Sequence, residues 1–154
     1  PYIDKKSQTG DPKKFAFPRA LPASYDFSFS GLKTSVLYTI RNMQKENIEI
    51  PVEDICASFS EAVSDTLVNK AIKACKEFNL NKVVISGGVA ANSTLRKKMA
   101  LECKKRKIEF FSPPLSLCTD NAAMIACAAY YKFIRDDYEK DWLSLDAQSR
   151  LKPY

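Results

Sequence analysis

At 154 residues, with 45% hydrophobic and 27% charged side chains, the chain has the size and composition of one globular domain with a sizeable core. It contains no histidine, which excludes a complete histidine-based catalytic triad or a self-sufficient histidine metal site within these residues. A formal net charge of +6 is compatible with nucleic acid as a partner without requiring it, and the longest apolar run, Ala122 to Tyr131, is far too short to cross a bilayer.

The first residues carry no apolar stretch of the kind a signal peptide needs, and Pro1 in place of Met reads as an internal start within something longer. The five cysteines, at 56, 75, 103, 118 and 127, include no CxxC pair and fall mostly in helical apolar patterns. They are expected to be reduced core thiols of a cytoplasmic protein with no membrane partner. Residues 1–24, with four prolines and Gly10, are expected to be an extended segment anchored by Phe15 and Phe17.

Tyr25 to Ser30 alternates aromatic and polar residues, the period-two pattern of a half-buried strand, and Gly31 ends it. Leu32, Val36, Leu37, Ile40 and Met43 predict a helix to about Asn47, with Lys33 in its first turn facing either an anion or solvent. Pro51 opens a long helix whose apolar arc is wide enough for burial on more than one side, and Asn79 suits its C-cap. Val83 to Ser86 then reads as a short buried strand that stops at Gly87-Gly88, with a helix following at once. Strand, Gly-Gly and helix N-terminus in that order fit either a plain tight turn or a cradle for an anion or nucleotide.

The next helix turns Leu95, Met99 and Cys103 inward and Arg96, Lys97, Lys98, Lys104, Lys105 and Arg106 outward, a solvated face or a nucleic-acid surface. Ile108 to Phe111 predicts another short strand, ended by Pro113-Pro114. The helix from Ala122 is apolar nearly all round and is expected to be buried, with Thr119 or Asp120 as its N-cap. Asp120 there is either cap or ligand, and Cys118 beside it reads as a packing thiol. The element order gives an α/β lobe over 25–140 with parallel neighbours, followed by a polar tail over 141–154. Ligands of such sheets bind beyond the carboxyl ends of the strands, where Gly87, Gly88, Asn92 and Asp120 all lie and could face one crevice.

Three ordered stretches carry a resemblance: Phe27-Ser28-Phe29-Ser30-Gly31-Leu32-Lys33-Thr34, Ser86-Gly87-Gly88-Val89-Ala90-Ala91-Asn92, and Cys118-Thr119-Asp120-Asn121-Ala122-Ala123-Met124-Ile125-Ala126. Together they resemble the tRNA N6-adenosine threonylcarbamoyltransferase family, in its bacterial or organellar branch. The resemblance implies an actin-like ATPase (ribonuclease H-like) fold of two α/β lobes, of which this chain is the C-terminal lobe, a mixed sheet with packed helices. It implies transfer of a threonylcarbamoyl group from threonylcarbamoyl-AMP to an adenosine beside the anticodon of tRNA, Gly87 and Gly88 contacting adenosine and Asn92 the substrate. It also implies one divalent metal ion, iron or zinc, bound by Asp120 and completed by two histidines outside this chain. The implied partners are tRNA, a paralogue of the same fold and an ATPase subunit. No residue stands out as a general base, and these residues alone are expected to be inactive. Two other readings remain open: a kinase-like lobe binding ATP at the same turn, and a basic module that docks nucleic acid or a partner without catalysis.

Overall fold

The computed structural model describes residues 2–138, 140–144 and 146; the rest of the expected polar tail lies outside the described residues. The chain divides into two compact units, Pro1–Thr119 and Asp120–Tyr154.

The spine of the first unit is α3 (Val52–Glu77), a 26-residue helix with buried positions all along it, from Ile55 to Cys75. Pro51 is its N-cap, Glu53 and Asp54 occupy its first turn, and it is buried on more than one side as its wide apolar arc predicts. Those first-turn acids also tether the chain before them. Lys6 pairs with Glu53 at 2.6 Å, and Asp54 accepts the Asp11 N–H at 2.8 Å. Gly10 sits so close that a Cβ there would lie 2.0 Å from the Glu53 carbonyl oxygen, so only glycine fits. The segment expected to be extended begins instead with a short helix, α1 (Tyr2–Ser7), and wraps onto α3 from there. Phe15 and Phe17 do anchor it, their rings stacked at 5.7 Å within a cluster that includes Leu32, Ile55 and Ala62.

The strand expected over Tyr25 to Ser30 is not formed; the chain is irregular until α2 (Ser30–Lys45) begins. Side chains of α3 take over the role a neighbouring strand would play. Lys70 donates to the carbonyls of Leu21 (2.5 Å) and Ser24 (2.6 Å), and Lys73 donates to that of Ala23 at 2.6 Å. The same two ammonium groups lie over the rings of Phe27 and Tyr25, at 5.6 and 4.9 Å. The period-two aromatics therefore serve cation–π contacts with a helix.

The sheet is a βαβ unit: β1 (Lys82–Val84), α4 (Ser93–Lys105) and β2 (Glu109–Phe111), the strands pairing parallel with Val83 opposite Phe110. Among the described residues these two strands are the whole sheet, which fits the α/β class; the antiparallel neighbour of the implied mixed sheet is not formed. Val83, Leu95, Met99 and Cys103 close a core against Val68, Ile72 and Cys75 of α3.

Helices α2, α3 and α4 each end in a left-handed residue, Asn47, Asn79 and Lys107, with φ of 53°, 53° and 57°. The following amide reaches back to the helix: Ile48 N–H to Met43 O, Leu80 N–H to Cys75 O, Ile108 N–H to Cys103 O, all at 2.8 to 2.9 Å. This is the Schellman closure; the C-cap of α3 is Phe78, and Asn79, expected as the cap, is the left-handed residue just after it.

Among the described residues the longest element of the second unit is α5 (Ala122–Ile134), capped by Asn121, whose Oδ1 accepts the Met124 N–H at 3.0 Å. Neither Thr119 nor Asp120 is the cap. The helix is apolar as read, but none of its residues is buried, and Cys127 is accordingly exposed while the other four thiols are buried. Among the described residues no helix is long and apolar enough to cross a membrane.

Candidate functional site

The carboxyl ends of β1 and β2 lead into two loops, and the first carries the Gly-Gly turn. Ile85 still holds the ladder, donating to Phe111 O at 3.1 Å, before Gly87 turns with φ of +83°. That backbone conformation is strained for any residue with a Cβ. Among the described residues a Cβ added at Gly88 would meet nothing within 4 Å, so their packing does not demand glycine there.

A 3-10 turn, Gly88–Ala91, follows, closed by Ala90 N–H to Gly87 O at 2.9 Å and Asn92 N–H to Val89 O at 3.0 Å. Its buried Ala90 seats it on the core, while Ser86, Gly87, Gly88 and Val89 are exposed. The i→i+3 pattern leaves the first N–H groups, those of Gly88 and Val89, without an acceptor inside the turn. The expected direct passage from Gly-Gly into an α-helix is thus corrected: the α-helix starts only at Ser93.

Its N-terminus is already occupied by the chain's own groups. Asn92 Oδ1 accepts the Leu95 N–H at 2.9 Å, and the Asp4 carboxylate accepts from both the N–H and the hydroxyl of Ser93 at 2.9 Å. The anion that the α4 dipole favours is Asp4, brought there by α1. What remains open to a ligand is the 3-10 turn before the helix, and the Asn92 side-chain NH2, which capping does not use.

The six cations read as one outer face of α4 divide into different roles. Arg96 is half-buried and directs its guanidinium to four acceptors on two loops. Nε donates to Ala90 O at 2.5 Å, Nη1 to Ser112 Oγ at 3.1 Å, and Nη2 to Pro113 O at 2.6 Å and Cys118 Sγ at 3.0 Å. Cys118 is buried, as a packing thiol should be. Nothing in helical periodicity distinguishes Arg96 from Lys97, so the sequence alone does not single it out.

Lys98 is paired with Glu61 and Asp65 of α3, and Arg19 also reaches Asp65 at 2.7 Å. Burial pushes the Asp65 carboxyl up, but hydrogen bonds from Lys98 and Arg19 outweigh it and hold the group below the usual aspartate range. For Lys98 burial works downward, and its bonds to Asp65 and Glu61 again prevail and raise it. Lys105 and Arg106 both pair with Glu102. Lys97 and Lys104 stay exposed, as does Lys33 on α2. Ion pairing within the fold therefore neutralises much of the face that the basic-module reading needs.

Gly87, Gly88 and Asn92 come together on one turn of the first unit, whereas Asp120 opens the second unit as an exposed residue. Because Asn121 is the cap, the Asp120 carboxylate is not committed to the helix end. Among the described residues no group of three or more histidine, cysteine or acidic side chains could hold a metal ion. One carboxylate offers a single ligand, so these residues do not form a metal centre by themselves.

A family model described as tRNA N6-adenosine threonylcarbamoyltransferase matches residues 1–127. A protein of that name from Thermosipho africanus is 54% identical over 154 residues, covering 99% of this chain and 46% of the relative. Its counterpart in Clostridioides difficile is 49% identical, with 99% and 45% covered, and that of Caldicellulosiruptor saccharolyticus is 47% identical, with 88% and 40% covered. The chain spans less than half the length of these curated relatives.

Proposed function

This chain belongs to the tRNA N6-adenosine threonylcarbamoyltransferase family, and we propose that it works as the C-terminal lobe of an enzyme forming threonylcarbamoyladenosine in tRNA. The observation that carries this reading is the turn over Gly87 to Asn92: N–H groups at Gly88 and Val89 with no acceptor among the described residues, no Cβ at 87 or 88, and a position beyond the carboxyl end of a parallel strand. The turn receives the adenosine part of threonylcarbamoyl-AMP. Its close backbone approach supplies hydrogen bonds in a place where a side chain would obstruct, and the free Asn92 amide donates to the donor molecule. The lobe is one half of an actin-like fold.

Asp120 supplies one oxygen ligand to a divalent metal, iron or zinc, whose remaining ligands are histidines outside these residues. Such an ion, when bound, acts as a Lewis acid toward a carbonyl or phosphate oxygen. The chain's own contribution is to bind and orient the donor, which lowers the entropic part of the barrier. tRNA is the acceptor, a paralogue of the same fold and an ATPase are the working partners, and the setting is cytoplasmic.

The test is to supply threonylcarbamoyl-AMP and unmodified tRNA to the full-length gene product and look for threonylcarbamoyladenosine. The product is expected with wild type and is expected to fall at least about a hundredfold in kcat/KM with Asp120→Ala, with metal lost in parallel. Unchanged metal content and activity in that variant would remove Asp120 from the site. ATP-dependent phosphorylation of a small substrate, with no tRNA product, would favour the kinase-like reading instead.

A further inference from the structure

We propose that Arg96 is a positioning residue, a bracket that fixes the Gly87–Asn92 turn to the 112–118 loop and so sets the turn's geometry for its ligand. The inference rests on the reading of that turn as the donor site, but the bracket itself stands on geometry alone. The two loops leave the carboxyl ends of two paired strands, and neither carries regular ladder bonds beyond Ile85 and Phe111. One planar cation joins them, with Nε turned to Ala90 O inside the 3-10 turn and the two terminal nitrogens turned to Ser112, Pro113 and Cys118.

Three features separate this from an ordinary surface arginine. All four acceptors are neutral, so the contacts are directional hydrogen bonds on the fork and not an ion pair that any cation could replace. Two of the acceptors are the backbone carbonyls of Ala90, a buried residue of the 3-10 turn, and Pro113, which otherwise receives only the weak Cys118 thiol at 4.0 Å, so losing the guanidinium leaves both poorly satisfied. Finally, Arg96 projects from the first turns of α4, next to Leu95, which is buried in the core, so its base is rigid. A lysine at 96 would bring one point of donation where the fork brings three nitrogens.

The first experiment is hydrogen exchange on the full-length gene product. Arg96→Lys is expected to raise amide exchange in 88–91 and in 112–118 together, by about tenfold, with the α3 and α4 core unmoved. Faster exchange in only one of the two loops, or in neither, would overturn the bracket. The second uses the full-length gene product and separates KM from kcat. Arg96→Lys is expected to raise the donor KM about tenfold with kcat within about threefold and the tRNA KM unchanged. A merely structural role would lower the active fraction, and hence apparent kcat, and leave donor KM where it was; that result would overturn the positioning role. Wild type that makes no threonylcarbamoyladenosine would refute the functional reading and leave the exchange result to decide the bracket.

Discussion

Arg96 and Lys98 stand two residues apart on α4, both half-buried cations, yet they connect to different things. Arg96 reaches forward to loop carbonyls, a hydroxyl and a thiol at the strand ends. Lys98 reaches sideways to the acids of α3. The first region is polar and neutral and shapes a turn with open N–H groups. The second is an ion network, with Arg19 as its other cation, that clamps α4 and the 1–24 segment to the long helix. Charge type and spacing are the same in both; the partner decides whether a basic residue serves a site or serves the fold.

The largest effect on stability should come from breaking the network. Lys98→Met leaves Glu61 and Asp65 close together with only Arg19 to offset them, and is expected to cost about 1–3 kcal/mol, discounted for partial exposure. Urea denaturation measures it, and donor KM in the full-length protein should not move. The pH dependence follows from the same group. Asp65 has its folded pKa held below its unfolded value, so the stability it contributes is present above about pH 4 and is lost as pH falls through the folded pKa. Lys98→Met should flatten that acid limb, which an acid titration of stability at fixed salt would detect.

At the site end, Asn92→Ala removes the cap on Leu95 and is expected to cost about 1 kcal/mol. Asn92→Asp keeps an acceptor at the cap and should stay within about 0.5 kcal/mol of wild type, while losing the side-chain NH2. A modest effect of the opposite sign lies at the far end of α4. Lys107 holds φ of 57° with only its backbone required, so Lys107→Gly should stabilise by about 0.5–1 kcal/mol and leave both regions as they are. A destabilised Lys107→Gly protein would mean that its side chain contributes more than the turn.

How much of this was legible in the sequence varies with the range of the interactions involved. The inward row Leu95, Met99 and Cys103, the long helix from Pro51, its end at Asn79 and both short strands follow from periodicity and local propensity, because burial on one face leaves a regular imprint. The family was legible as well, since its three motifs stand in order. The misread elements all depend on distant partners. Tyr25 to Ser30 alternates like a strand, but its Phe27 and Tyr25 rings meet Lys70 and Lys73 of the distant α3 in place of another strand. The α4 N-terminus looked open because Asp4, 89 residues distant, fills it. Helix α5 has the composition of a buried helix, which sequence pattern registers, but none of its residues is buried among the described residues. Within the candidate site, the turn chemistry and the motif point to Gly87, Gly88 and Asn92 from sequence, whereas Arg96 is a lysine-like letter until its four acceptors are seen.

The most direct test of the account is the donor KM of full-length Asn92→Asp, read beside its melting temperature. A protein that melts with wild type and shows a donor KM raised about tenfold would place the Asn92 amide on the donor, since capping survives the change. Wild-type donor kinetics in that variant would contradict the account, and would leave Asn92 as a helix cap alone.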